Sequence, residues 1–274
     1  MRMENKGVWG GLMEKTALVT GVGRRAGLGA AICRKLASDG FNIVFTWWGQ
    51  YDSEMPWGKD EQTVSELIQE LEQAGVRAAA VEADLEQPQA AAEILMKAEE
   101  AMGQPPTVLV NNAAVSINDH LGNVTAEALD RHYAVNTRAV VLLIQAFTAK
   151  LPKEEKGSIV NIATGWSQGQ MPDELSYVVT KSAAETLVHS VSSQLMKRGI
   201  RLNAVNPGPT DTGWMSAELK QELKELFPDG RIGKPEDAAR AVAWLAGDEA
   251  AWITGQVLHS EGGFLNRDGQ GTDL

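Results

Sequence analysis

A chain of 274 residues, 43% of them hydrophobic, can bury a full core, and its length suits one large α/β domain about as well as two small ones. Its 36 acidic against 25 basic side chains leave a formal charge of -11, which repels phosphate backbones and anionic lipid surfaces and argues against nucleic-acid and membrane partners. Cys33 is the only cysteine, so intrachain disulfides and multi-cysteine metal sites are excluded, and with no apolar leader or long apolar run a soluble, cytoplasmic protein is expected.

Residues 16–20 read as a short buried strand, followed by a glycine cluster over 21–29 and a helix carrying Ile32 and Leu36 one turn apart. A second apolar run, 43–48, is β-branched and aromatic. Val64, Leu67, Ile68 and Leu71 then recur with the spacing of an amphipathic helix. The alternation continues with a strand at 78–81, a helix at 90–102, a strand at 107–110, a helix through 136–150 and a strand at 158–162. A helix at 176–198, a strand at 201–205, a helix at 235–245 and a last strand at 256–258 complete it.

Strands alternating with helices demand right-handed crossovers, so the expected fold is α/β: a single-domain Rossmann fold, a doubly wound parallel sheet of about seven strands with helices on both faces. The expected catalytic domain spans 15–265, between tails at 1–14 and 266–274. Insertions at 49–59 and 209–230 follow carboxyl ends of strands, where such sheets bind ligands.

Glycines between a first strand and a first helix let the backbone approach a pyrophosphate at the helix N-terminus. The segment from Thr20 to Gly29 fits two registers, one through Gly21, Gly23 and Ala26, the other a longer loop ending in Gly27-Leu28-Gly29. No acid follows the second strand to bind a ribose hydroxyl, while Arg24 and Arg25 supply forks for a 2′-phosphate. NADP(H) is therefore expected over NAD(H). The alternatives are that both arginines are solvated, and that Asp52 folds back toward the ribose.

Tyr177 and Lys181 lie four residues apart on a segment of helical spacing, which stacks phenol and ammonium on one face. The positive charge should lower the phenol pKa from about 10, giving an acid/base that supplies the proton accompanying hydride transfer to a carbonyl.

At these residues the chain resembles the short-chain dehydrogenase/reductase superfamily, through several motifs in order from about Thr16 to Gly263. The run Asn111-Asn112-Ala113-Ala114 is similar to the family's NNAG element, which steadies the sheet, and the resemblance assigns Asn112, Ala113 and Ala114 to the cofactor site. Asp84 and Leu85 resemble its adenine-contacting pair. Asn136 resembles its helix asparagine, which holds a water in the proton relay, and Pro207, Gly208, Thr210 and Thr212 resemble the segment that meets the nicotinamide amide. Gly21, Gly27, Leu28 and Gly29 would hold the pyrophosphate, and Lys181 would bind the nicotinamide ribose.

Two departures stand out: the glycine loop is two residues longer than the family's, and Thr164 stands where the family has serine. Threonine keeps the hydroxyl that orients the carbonyl, and Ser167 and Ser176 are its rivals. The resemblance is to 3-oxoacyl-acyl-carrier-protein reductases in particular. Enoyl reductases of the same fold space tyrosine and lysine seven apart, and a non-catalytic NADP(H)-sensing module is a further alternative.

Trp166 and Trp214 are expected to border the site, with Trp9, Trp57, Trp244 and Trp252 packing cores or interfaces. His120, His132, His189 and His259 show no metal-ligand spacing, so no metal is expected. The helix around 139–147 is apolar nearly all round. In the resembling family this helix and the catalytic one form a bundle between subunits, which implies a homotetramer.

Overall fold

The structure, a computed structural model, describes residues 14–264 apart from 56, 57, 60 and 61. Trp9, Trp57 and the two expected tails lie outside the described residues. Seven strands form one sheet: β1 (Thr16–Val19), β2 (Asn42–Trp47), β3 (Ala78–Glu82), β4 (Val108–Asn111), β5 (Gly157–Ile162), β6 (Ile200–Asn206) and β7 (Val257–His259). Their order is β3-β2-β1-β4-β5-β6-β7 with every neighbouring pair parallel. The order reverses between β1 and β4, which opens a crevice at their carboxyl ends.

Residues alternate between faces along each strand, so the sheet feeds two cores. Leu18, Val44, Leu109, Ile159 and Leu202 pack under α4 (Ala90–Met102), α6 (Val140–Lys150) and α8 (Ala183–Met196). Val19, Phe45, Val110, Val160 and Val205 pack on the other side, under α1 (Leu28–Ser38), α3 (Thr63–Gln73) and α10 (Pro235–Ala246). Cys33 is fully buried in this second core, and burial pushes its thiol pKa up, so it is an inert packing residue.

Three helices lie where no amphipathic period announced them: α2 (Gly49–Glu54) and α9 (Ala217–Lys224) within the two insertions, and α5 (Ala126–Tyr133) before α6. Between α5 and α6 the chain makes one wide π turn over Ala134–Ala139, a feature frequent at functional sites. The expected long helix over 176–198 is two, α7 (Leu175–Lys181) and α8, divided at Ser182. No helix among the described residues is long and apolar enough to cross a membrane.

Candidate active site

A cleft of about 900 Å³ opens at the carboxyl ends of the strands, from the glycine loop past β2 and β3 to the segment after β6. Thr20 and Asn112 stitch its floor: the Thr20 hydroxyl accepts from the amides of Asn112 and Ala113, both at 3.1 Å, and the Asn112 side chain donates to the Thr20 carbonyl at 2.8 Å. Gly21 turns the chain there with φ +74, and a Cβ on it would lie 2.5 Å from the Ala113 Cα, so glycine is required. Asn111 donates to Asn161 at 2.9 Å and ties β4 to β5.

Of the two loop registers, the structure adopts the longer. Helix α1 begins at Leu28 with Gly27 as its N-cap, and no side chain caps the first turn. Its first amides and partial positive charge thus face the cleft beside Gly29, which suits a pyrophosphate.

The two loop arginines part company. Arg24 lines the cleft and donates to the Thr212 carbonyl at 3.3 Å and hydroxyl at 3.1 Å, bridging the glycine loop to the segment after β6. Arg25 does not line it: its guanidinium is held by Glu66 and Glu70 of α3 on an exposed face. Asp52, on α2, is 7% exposed, lines the cleft and faces Gly23, where an added Cβ would come within 2.0 Å of its carboxylate. Asp84 and Leu85 lie in the lining, with Asp84 accepting from the Glu86 amide at 2.8 Å. Ala114, Pro207, Gly208 and Thr210 also border the cleft, and Gly208 is at φ +60 where a Cβ would meet that of Glu261 at 2.6 Å, so both backbone and space call for glycine.

Tyr177, Lys181 and Thr164 converge on one wall of the cleft. Thr164 lies two residues beyond β5, its side chain in the same lining as Tyr177 and its hydroxyl 3.8 Å from the Met171 Sδ. Lys181 is 3% exposed and its Nζ donates to the Ile162 carbonyl at 2.6 Å. Burial pushes the ammonium down to about 8. The expected acidification of the phenol is not found in this structure: burial pushes the Tyr177 pKa up, the Glu174 carboxylate adds to that, and the Thr164 side chain only partly counters it. The phenol is therefore a protonated acid at neutral pH.

Ser167 and Ser176 are outside the cleft lining; Ser167 reaches toward Glu185 at 3.5 Å and Ser176 is fully buried. Asn136 sits behind the site in the π turn, its side chain accepting from the Val115 amide and donating to the Val115 carbonyl, both at 2.9 Å, and to the Thr180 hydroxyl at 3.1 Å. It thereby ties the β4 loop to α7.

Sequence reasoning missed Asp119. Its carboxylate, 6% exposed, accepts from the Ser176 amide at 2.8 Å and from the Ser176 hydroxyl, anchoring the first turn of the helix that carries Tyr177. Burial pushes its carboxyl up, but the Ser176 bonds hold it below the usual carboxylate range. The partners are 57 residues apart, so no local pattern announces them. Glu174, the residue before α7, also lines the cleft. Trp214 borders the cleft as expected, whereas Trp166 does not; Trp244 and Trp252, 40% and 94% exposed, are not core residues of this chain. His132 is structural, bonded to the Ala128 carbonyl at 2.6 Å and the Ile117 amide at 3.1 Å.

The fold and cleft define a dinucleotide-binding oxidoreductase. A family model described as Enoyl-(Acyl carrier protein) reductase matches residues 21–265. The chain is 45% identical over 254 residues to an uncharacterized oxidoreductase, YjdA, of Bacillus subtilis, covering 92% of this chain and 97% of the relative. It is 31% identical over 255 residues to the 3-oxoacyl-[acyl-carrier-protein] reductase FabG of Staphylococcus epidermidis, covering 92% and 99%. Among solved structures, a blue fluorescent protein from a metagenomic library in complex with NADPH superposes with a TM-score of 0.81 at 36% identity, covering 91% and 97%. LugOII, a promiscuous reductase that catalyses keto-reduction at C1 during lugdunomycin biosynthesis, superposes with the same TM-score of 0.81 at 33% identity, covering 92% and 97%. The chain belongs to the short-chain dehydrogenase/reductase superfamily, and it is an NAD(P)-dependent oxidoreductase.

Proposed function

We propose that the protein reduces a ketone to a secondary alcohol with NADP(H), using Tyr177 as proton donor. The observation that carries this reading is the meeting of the Tyr177 phenol, the Thr164 hydroxyl and the buried Lys181 ammonium on one wall of a cleft whose far end is an uncapped, glycine-lined helix start. The cofactor, when bound, supplies the hydride for the carbonyl carbon. Thr164 orients the carbonyl oxygen and Tyr177 gives it the proton. Lys181 holds the nicotinamide ribose, and Asn136 keeps α7 in register with the β4 loop and orders water in the relay. The α1 N-terminus with Gly21, Gly27, Leu28 and Gly29 holds the pyrophosphate, and Asp84 and Leu85 border the adenine. Asn112, Ala113 and Ala114 support the middle of the dinucleotide, and Pro207, Gly208, Thr210 and Thr212 receive the nicotinamide amide.

Turnover of ketones and 3-oxoacyl thioesters followed by NADPH absorbance tests this; a protein that binds NADPH yet oxidises it with no carbonyl overturns it. Thioesters belong in the panel because they are named for the 31% identical relative. Thr164→Ala is expected to lower kcat about 10–100-fold, while Ser167→Ala stays within about twofold. The opposite pattern would hand the carbonyl to Ser167.

Preference for NADP(H) rests on Arg24 inside the cleft and on the NADPH complex of a 36% identical structure; Asp52, which lines the same cleft beside Gly23, is the acid that competes with this reading. Arg25 contributes only by leaving Glu66 and Glu70. Arg24→Ala should raise the KM for NADPH about tenfold or more and leave that for NADH within about threefold. An equal loss for both cofactors would assign Arg24 to holding Thr212 alone.

A homotetramer in the cytoplasm completes the proposal. Val141 on α6 and Val179 on α7 are 41% and 55% exposed, which leaves an apolar face for other subunits. Light scattering should give four chains per particle and fewer for Val179→Glu; a monomeric native protein refutes it.

A further inference from the structure

Beyond Tyr177 the cleft is a cup of Met171, Trp214, Met215, Leu219, Leu223 and Phe264, the last four belonging to or packing on the small apolar cluster built on α9. Two carboxylates face this half of the cleft, Glu174 and Glu261. Glu261 is satisfied, accepting from Gln168 and Asn206, each at 2.9 Å. Glu174 is not: among the described residues its carboxylate has no hydrogen-bond donor and no ion-pair partner. The cations in the lining, Lys181 and Arg24, are turned to the Ile162 and Thr212 carbonyls.

Glu174 stands three residues before Tyr177, on the same side of the start of α7 and close enough for its charge to act on the phenol. A half-buried carboxylate in the cleft lining, near the proposed proton donor and with no described donor of its own, is placed to accept from a group the substrate brings.

We propose that Glu174 is a specificity-determining residue that accepts a hydrogen bond from an ammonium or hydroxyl group borne next to the substrate's carbonyl, so that the enzyme reduces apolar amino ketones or hydroxy ketones. The inference rests on the ketone-reduction reading and narrows it. Each turnover takes one ketone, one reduced cofactor and one proton to one amino alcohol or diol and one oxidised cofactor; the hydride carries both electrons to carbon, and the Tyr177 proton is replaced from solvent. Burial pushes the Glu174 pKa up with help from Asp173, and an ammonium seated beside it reverses that cost. Anionic ketones meet repulsion at the same place.

The test uses the full-length protein with NADPH and four aryl ketones of one skeleton, whose carbon next to the carbonyl bears hydrogen, hydroxyl, amine or carboxylate. In the wild type, kcat/KM for the amine or the hydroxyl compound should exceed that of the plain ketone about tenfold or more, and the carboxylate compound should be the poorest. In Glu174→Gln the amine's advantage over the plain ketone should fall below about threefold, while a hydroxyl's advantage largely survives; Glu174→Leu should remove both. Calorimetric binding of the amino alcohol or diol product, without turnover, should weaken in parallel. A plain ketone reduced as well as its amine and hydroxyl analogues, or an advantage that survives Glu174→Leu, overturns the inference and leaves ketone reduction standing. Refusal of all four ketones by protein that binds NADPH defeats the ketone-reduction reading, and this inference with it.

Discussion

Tyr177→Phe is expected to lower kcat for ketone reduction by about 10²–10⁴-fold while the KM for NADPH changes less than about threefold. The removed atom is one phenolic oxygen of a side chain that lines the cleft together with Thr164. Phenylalanine keeps the ring and its packing, so the loss falls on the proton-transfer step. With burial and Glu174 holding the phenol above its ordinary range, it starts each reduction protonated, and the wild-type rate should not rise on acidification below neutrality. Retention of more than about a tenth of wild-type kcat in the phenylalanine variant would require another donor.

Lys181→Met should separate stability from activity. The ammonium is 3% exposed, its one hydrogen bond among the described residues is to the Ile162 carbonyl at 2.6 Å, and burial lowers its pKa from 10.5 to about 8. Between those values the folded protein holds fewer protons at this site than the unfolded chain, so the lysine's unfavourable contribution shrinks as pH rises and is full below about pH 8. Removing the charge should therefore raise stability at pH 7 by roughly 1–3 kcal/mol, net of the lost hydrogen bond, with the gain fading toward pH 10. Activity should fall at least about 100-fold, mainly through weaker cofactor binding. In the wild type the KM for NADPH should climb as pH passes about 8, where the ammonium discharges. A methionine variant that is less stable than wild type at pH 7 would contradict this account of the lysine.

The strands were legible because parallel strands buried on both faces are short β-branched runs, and β1 to β7 fall within a residue or so of their expected positions. Helices with a strong apolar stripe, such as α3 with Leu67 and Leu71 buried, were equally plain. Helix α5 was not, since of its eight residues only His132 is buried, leaving the Thr125 cap, which accepts from the Ala128 amide at 3.2 Å, as its one local signal. Helix α9 has no buried residue and likewise starts on a capping hydroxyl, Ser216, at 3.2 Å from the Leu219 amide.

At the site, Tyr177, Lys181 and Thr164, grouped by their spacing along the chain, all line the cleft, and spacing failed wherever a distant partner decides. Arg24 and Arg25 are adjacent and chemically identical, yet Glu66 and Glu70, more than forty residues on, hold one outside the cleft. Along the chain the ammonium of Lys181 lies one turn from the phenol, but the fold turns that ammonium to Ile162 and sets the Glu174 carboxylate near the phenol instead.

The central claim is reduction of C=O, and an α,β-unsaturated aryl ketone offered with NADPH tests it most directly, because the same molecule also carries a C=C bond. Product analysis should show the allylic alcohol, one for each NADPH consumed, with the double bond intact. A saturated ketone as the product would mean that hydride goes to the alkene and that the carbonyl account is wrong.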